Sequence, residues 1–172
     1  YGYNANGRLN LVRDPRNNTV QYGYDANGRV AAITNQLGKL TTFTYNSGNT
    51  VVSDAYNHGT TYTYDANGRV TLVRDTRGGT RQYEYDADHN VTRTTDRAGK
   101  VTTFSYDSLY RLTSATDPVN LTATASYGDA NTPYQPTTVT DPRNKQTTYA
   151  YSLTGNLTSA QAPSLPAATF TY

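Results

Sequence analysis

The sequence predicts an all-β protein of tandem antiparallel β-hairpin repeats, about 21 residues each, joined into one continuous twisted sheet. Three observations predict this class: a tyrosine motif at near-constant spacing, two turn signals in each repeat, and a composition that favours strands. The 17 Tyr residues, with many Thr and Val, suit pleated, half-buried surfaces. The 13 Gly residues and the many Asn and Asp supply turns.

The repeat is marked by the tripeptide Tyr/Phe-x-Tyr, whose two aromatic side chains point to the same face of a strand. The second tyrosine recurs in steps of 21 residues, except for one step of 19 and one of 24. Because one hairpin cannot bury its own face, this period predicts stacked hairpins that share edges. The repeated tyrosines are Tyr3, Tyr24, Tyr45, Tyr64, Tyr85, Tyr106, Tyr151 and Tyr172, with Tyr127 in phase.

The first turn signal follows the tyrosine and reads Asp-Ala-Asn-Gly-Arg at 25–29 and 65–69, with Asn4 opening a near copy. This string is typical of a type I turn whose following glycine takes positive φ and forms a bulge. The positions that carry the prediction are Gly7, Gly28 and Gly68, followed by Arg8, Arg29, Arg69 and, in a looser copy, Arg111.

The second turn signal is an Asp or Asn eleven residues after the tyrosine, with Gly or Asn about three residues later. The offset is nine residues at Asp54 and fourteen at Asp141, so the changes in repeat length fall between the tyrosine and the aspartate. Proline follows the aspartate in three copies, where it suits the first central position of a type I turn. The turn positions are Asp14, Asn35, Asp75, Asp96, Asp117 and Asp141.

The strand between these turns is less regular than the tyrosine strand. Val30 and Ala32 share a face with each other but not with Ile33, and a bulge that resets the phase would explain this pattern. We expect residues 1–172 to form a single array of about eight repeats and to be a fragment of a much longer chain.

The string Tyr-x-Tyr-Asp-x-x-Gly-Arg-Leu/Val resembles the YD-repeat, or RHS-repeat, family. It reads YGYDANGRV at 22–30, YTYDANGRV at 62–70 and, more loosely, FSYDSLYRL at 104–112. The family includes bacterial RHS toxins, toxin-complex components, wall-associated proteins and teneurins. The resemblance implies a hairpin sheet that spirals into a hollow shell or solenoid, which in the toxins encloses a C-terminal toxic domain.

Composition argues against several other classes of protein. A net charge of +2 with 16% charged residues and no basic cluster argues against nucleic-acid binding. No apolar stretch approaches the length of a membrane span, and the absence of Cys removes disulfides and thiolate chemistry. His58 and His89 lack a nucleophile motif, and Asp86 and Asp88 share one exposed turn, so we expect no enzyme, cofactor or metal site.

Two sets of repeated side chains allow more than one interpretation. The arginines after the glycines either bind an acidic ligand or lie over a tyrosine of a neighbouring hairpin. The tyrosines form either a carbohydrate platform or a core ladder of cross-strand aromatic pairs. The Asp-Ala-Asn-Gly strings are interpreted as turns and not as calcium loops, because the ligand set that ends in Glu is missing.

The sequence therefore favours a structural function. We expect a wall segment of a large secreted or cell-surface protein, whose partners are neighbouring repeats and an enclosed effector domain of the same chain. The alternative is an extended adhesive module that binds glycans or cell surfaces. A third and weaker interpretation is a filament joined edge to edge through unpaired terminal strands.

Overall fold

The computed structural model describes residues 1–171 and is all-β, as the sequence predicts. The chain divides into two compact units, Tyr1–Gln82 and Tyr83–Tyr172, and the division falls within strand β9. The strands up to the division are β1 (Gly2–Tyr3), β2 (Leu9–Arg13), β3 (Thr19–Tyr24), β4 (Val30–Thr34), β5 (Leu40–Asn46), β6 (Asn49–Ser53), β7 (Gly59–Tyr64), β8 (Val70–Arg74) and β9 (Thr80–Tyr85).

The second unit continues the same pattern of short strands and tight turns. Its strands after β9 are β10 (Val91–Thr95), β11 (Val101–Tyr106), β12 (Leu112–Thr116), β13 (Thr122–Ser126), β14 (Thr138–Thr140), β15 (Gln146–Tyr151), β16 (Leu157–Gln161) and β17 (Ala168–Thr169). The described residues include no helix long and apolar enough to cross a membrane.

The topology is a meander in which each strand pairs antiparallel with the next strand along the chain. All 17 strands found within residues 1–171 belong to one open sheet. Every pairing is therefore a hairpin, which confirms the predicted tandem hairpin repeats.

Most turns share one five-residue form. In the turn that starts at Asp25, the N–H of Asp25 donates to the carbonyl of Arg29 (2.9 Å), and the N–H of Gly28 donates to the carbonyl of Asp25 (3.0 Å). The fourth residue takes positive φ, as predicted for Gly7 (72°), Gly28 (81°) and Gly68 (77°). The fourth position also accommodates residues with a side chain, namely Asn17, Asn57, His89, Tyr110, Asn120 and Asn144.

A bulge opposite the tyrosine strand resolves the irregular phase of the second strand. Gly23 pairs with Ala32 and Tyr24 pairs with Val30, so Ala31 is an extra residue without a partner. Tyr22 pairs with Ile33 in the same hairpin. The extra residue therefore places Val30 and Ile33, three apart in sequence, opposite the two tyrosines. The same shift recurs before Tyr3, Tyr64, Tyr106 and Tyr151.

The 19-residue step has a simple structural cause. In the hairpin of β5 and β6, Tyr45 pairs with Thr50 and Asn46 pairs with Asn49, so the connection is the two residues Ser47 and Gly48. The pairing continues to Thr42 and Ser53 without a register shift. The repeat therefore loses one residue from the turn and one from the missing bulge, and both losses lie between the tyrosine and Asp54.

The sheet has no buried apolar core of its own. Among residues 1–171 no hydrophobic side chain is buried, and Thr132 is the single buried polar residue. The predicted ladder of aromatic pairs is wrong, because the direct partners of Tyr22, Tyr24 and Tyr62 are Ile33, Val30 and Val73. The rings of Tyr22, Tyr24 and Tyr62 therefore pack beside branched aliphatic side chains of the neighbouring strand, and these tyrosines are half-buried.

Candidate functional site

The repeated feature of the sheet begins with a carboxylate that caps the first turn. Oδ1 of Asp65 accepts the backbone N–H groups of Asn67 (2.9 Å) and Arg69 (2.9 Å), and its Oδ2 accepts Nε of Arg69 (2.6 Å). The backbone N–H of Arg69 is the main cause that holds the pKa of Asp65 below its ordinary value, with the guanidinium also contributing. Asp25 and Asp107 pair with Arg29 and Arg111 in the same way.

The same arginine lies over the tyrosine of the next repeat. Cζ of Arg29 is 4.1 Å from the ring centroid of Tyr45, and Cζ of Arg111 is 4.4 Å from that of Tyr127. These distances are typical of cation–π contacts. Because the carboxylate fixes Nε of the arginine, the guanidinium is already oriented when it meets the ring.

The tyrosine hydroxyl completes the contact by returning to the preceding hairpin. The hydroxyl of Tyr45 donates to the carbonyl of Val30 (2.8 Å), the residue that follows Arg29. The same bond spans 15 residues in four other repeats. The tyrosines whose hydroxyls donate these equivalent bonds are Tyr24, Tyr106, Tyr127 and Tyr151. We call the set of Asp25, Arg29, Tyr45 and the Val30 carbonyl the repeat clamp, and use the name for its equivalents.

The clamp varies at its aspartate and arginine positions. The first copy has Asn4 in place of aspartate, so Arg8 has no carboxylate in its own turn, and its Cζ lies 5.7 Å from the ring centroid of Tyr24. In the turn at 86–90 the arginine is replaced by Asn90, whose Nδ2 donates to Oδ2 of Asp86 (3.0 Å). The tyrosine hydroxyl bond is present beside both of these turns, from Tyr24 to the carbonyl of Leu9 and from Tyr106 to the carbonyl of Val91.

The remaining tyrosines of the predicted set occupy the same structural position. Tyr3, Tyr64 and Tyr85 each end a tyrosine strand, while Tyr172 lies outside the described residues. Arg69 is placed by its ion pair with Asp65.

The second turn of each repeat is also capped by its aspartate. Oδ1 of Asp14 accepts the N–H groups of Arg16 (2.8 Å) and Asn18 (2.9 Å). The aspartate therefore satisfies the donors of its own turn. Equivalent bonds form at Asp75, Asp96, Asp117 and Asp141.

The 24-residue step contains a longer loop that sequence reasoning located but did not describe. Gln135 donates through Nε2 to the carbonyl of Gly155 (2.8 Å), and Arg111 donates to the carbonyl of Pro133. Residues 131–135 and 153–155 line an open cavity of about 260 Å³. Oε1 of Gln135 is buried and finds no partner among the described residues. Only the non-repetitive Pro and Gln residues distinguish this segment in the sequence.

The two histidines and the paired carboxylates noted in the sequence are placed at turns. His58 Nδ1 lies 3.0 Å from Oδ2 of Asp54, and His89 occupies the positive-φ slot with φ of 70°. Oδ1 of Asp86 accepts the N–H of Asp88 (3.0 Å), so this pair of carboxylates is part of one turn cap. Within residues 1–171 no group of three or more His, Cys, Asp or Glu side chains is arranged to hold a metal ion.

Consecutive hairpins tied by the same clamp define a tandem β-hairpin repeat protein whose repeated residues serve the sheet itself. The family model of the RHS repeat matches residues 3–35, 24–58, 85–122 and 135–164, which together cover more than half of the chain. The chain therefore belongs to the RHS repeat family.

Solved structures with the same fold come from Tc toxin assemblies. The crystal structure of TcdB2-TccC3 aligns with a TM-score of 0.77 and 15% identity, over 95% of this chain and 10% of that chain. The same complex without its hypervariable C-terminal region aligns with a TM-score of 0.70 and 14% identity, over 95% of this chain and 11% of that chain. The Tc holotoxin pore of Photorhabdus luminescens, with a mutated TccC3, aligns with a TM-score of 0.66 and 18% identity, over 85% of this chain and 9% of that chain.

The likeness at these identities concerns the fold. The chain spans about one tenth of the length of the structures it matches. No curated protein sequence matches it at a significant level.

Proposed function

We propose that this chain is a wall segment of a larger secreted or cell-surface RHS protein, where its sheet encloses or displays a C-terminal toxin or effector domain of the same polypeptide. The wall acts by exclusion: hydrogen-bonded strands separate the enclosed domain from proteases and solvent. On this proposal the chain itself performs no catalysis.

The observation that carries the proposal is a continuous sheet without a core of its own. Every strand is paired with its sequence neighbour, yet no hydrophobic side chain among residues 1–171 is buried. Independent domains pack at least two layers around an apolar core. A single paired layer with two accessible faces is instead suited to lie between an interior and an exterior.

The relatives support this role for the parent protein. One of the matched structures is described as TcdB2-TccC3 without its hypervariable C-terminal region, so that complex has a variable segment at a C-terminal end. A repeat wall beside a variable C-terminal segment agrees with the proposed encapsulation.

The first test is the intact mass of the native polypeptide, with peptide sequence read beyond position 172. The encapsulation proposal expects a much longer chain with further repeats and an unrelated C-terminal domain. A native chain that ends near position 172 would refute it and favour a binding or self-assembling module.

The second test examines exclusion directly. The native full-length protein is treated with a broad-specificity protease, and cleavage of the C-terminal domain is compared with cleavage of the same domain expressed alone. Encapsulation expects strong protection in the native protein and rapid digestion of the isolated domain. Equal cleavage rates would mean that the repeats display the domain without enclosing it.

We propose glycan binding as a second candidate function, located at residues 128–137 of the connection between β13 and β14, here called the 128–137 loop. The repeated tyrosines are poorly suited to it, because Arg29 and Arg111 cover ring faces that sugars would need. Tyr134 is instead 70% exposed and lines an open cavity together with Gln135, whose buried Oε1 has no partner among the described residues. Saturation-transfer NMR with neutral monosaccharides would test this, with Tyr134→Ala expected to abolish the signal and Tyr56→Ala as the matched exposed control.

A further inference from the structure

The sequence contains three Asn-Gly pairs, and all of them occupy the same position of the first turn. They are Asn6-Gly7, Asn27-Gly28 and Asn67-Gly68. Each asparagine is exposed. The proposed wall function does not use these side chains, and their chemistry is independent of it.

An asparagine before glycine is a substrate for intramolecular deamidation. The backbone nitrogen of the glycine loses its proton and attacks Cγ of the asparagine. A new bond forms between that nitrogen and Cγ, the bond from Cγ to Nδ2 breaks and ammonia leaves, which gives a cyclic imide. Water from the solvent opens the imide at either carbonyl, so the product is aspartate or isoaspartate.

The turn geometry opposes the first step of this reaction. The N–H of Gly68 donates to the carbonyl of Asp65 (3.0 Å), and the equivalent bonds of Gly7 and Gly28 measure 2.9 and 3.0 Å. The attacking nitrogen is therefore held as a hydrogen-bond donor. Attack requires the turn to open locally, so the rate depends on what keeps the turn closed.

The three turns differ in how firmly they are closed. Asp65 binds Arg69 through both the backbone N–H and Nε, so a charged pair ties the first and fifth residues of the turn together. Asp25 and Arg29 form the same pair. In the first copy Asn4 accepts the N–H of Arg8 (3.0 Å), but its neutral amide cannot form the ion pair.

We propose that Asn6, Asn27 and Asn67 are deamidation sites whose rates are set by the aspartate–arginine pair of their own turn, so that Asn6 is modified first. The modification adds a negative charge at the turn, and isoaspartate lengthens the backbone by one carbon. The exchange of a single capping residue thus makes one repeat an age-dependent site and leaves the other two protected.

The experiment is incubation of the folded chain in mildly alkaline oxygen-18 water, followed by proteolysis and mass spectrometry of the three peptides. Label incorporation separates modification of the folded chain from modification during digestion. We expect Asn6 to be converted severalfold faster than Asn27 and Asn67, and all three at similar high rates in denatured protein.

Two substitutions assign the effect to the pair. Asn4→Asp supplies the missing carboxylate to Arg8 and should slow conversion of Asn6. Asp65→Asn removes the charge and should accelerate conversion of Asn67 alone. Asp96→Asn, in a turn without Asn-Gly, is the matched control and should leave all three rates unchanged.

The outcomes are distinct. Equal deamidation rates at the three sites in the folded chain would overturn the proposal. It would also be overturned if Asp65→Asn left the rate of Asn67 unchanged and Asn4→Asp left the rate of Asn6 unchanged. Acceleration of Asn67 by Asp96→Asn equal to that by Asp65→Asn would also overturn it, because global unfolding would then set the rates.

Discussion

The contact between Arg29 and Tyr45 makes a quantitative prediction about the repeat clamp. Replacing Arg29 with Met and Tyr45 with Leu, singly and together, forms a double-mutant cycle that isolates this contact. The guanidinium lies 4.1 Å from the ring centroid, and the Arg29 side chain is 46% exposed. At such exposure a cation–π contact contributes about 0.5–1 kcal/mol, which is the expected coupling energy.

The hydroxyl makes a separate contribution that Tyr45→Phe removes. The bond from the Tyr45 hydroxyl to the Val30 carbonyl measures 2.8 Å, and a net protein hydrogen bond contributes about 0.5–1.5 kcal/mol. The carbonyl left behind is partly accessible to water, so we expect a loss of about 1 kcal/mol. Since Arg29 is unchanged in this variant, its cation–π contact should persist.

The measurement is urea unfolding followed by both circular dichroism and tyrosine fluorescence, whose transitions must coincide for a two-state comparison. At a typical slope of about 1–3 kcal/mol/M, a loss of about 1 kcal/mol lowers the midpoint by about 0.3–1 M. For Tyr45→Phe the control is Tyr64→Phe, because among the described residues the hydroxyl of Tyr64 does not bond a carbonyl 15 residues earlier as that of Tyr45 does. A coupling energy indistinguishable from zero would refute the clamp as a stabilising unit.

Three further predictions concern the turns. The folded pKa of Asp65 lies below its unfolded value of 3.8, so the unfolded chain binds more protons than the folded chain near that pH. The free energy of unfolding should therefore fall as the pH drops through this range. Thermal melts should show a smaller fall for Asp65→Asn than for the unchanged chain. Tyr110 has φ of 62° and is exposed, so Tyr110→Gly should raise the free energy of unfolding by about 0.5–1 kcal/mol; no gain would show that the left-handed residue is not strained. Gly28→Ala should lose about 1–2 kcal/mol, because φ is 81° and an L side chain is strained there, whereas the Arg8 guanidinium near the new Cβ is the mobile end of a flexible side chain and can move away. Gly23→Ala, where φ is not positive, is the control and should lose less.

The sequence was most informative where a residue's own backbone needs decide the structure. Gly28 and Asp25 predict a turn, because glycine readily adopts positive φ and an aspartate carboxylate caps the backbone N–H groups of a turn. The phase break between Val30 and Ile33 was also enough to suggest the bulge that the structure contains. These features depend on neighbours within a few residues, so a single repeat already contains the information.

The features that escaped prediction depend on residues farther apart. Nothing in Tyr45 itself indicates that its hydroxyl meets a carbonyl 15 residues earlier, because that contact requires the bulge and the turn to be positioned first. The predicted aromatic ladder failed for a similar reason: the period identified the tyrosine strands but not the aliphatic strands between them. The 128–137 loop lacks the repeat, so the period gives no information about its hydrogen bonds.

The strand order has a consequence for how the protein reaches its native form. Since every strand pairs only with its predecessor and successor, the sheet has low contact order despite being entirely β. Each new hairpin can add to an edge that is already formed, so assembly can advance vectorially from the N-terminus during synthesis. In five repeats the tyrosine hydroxyl then bonds a carbonyl 15 residues earlier, so the new hairpin is tied to the preceding one as soon as it forms.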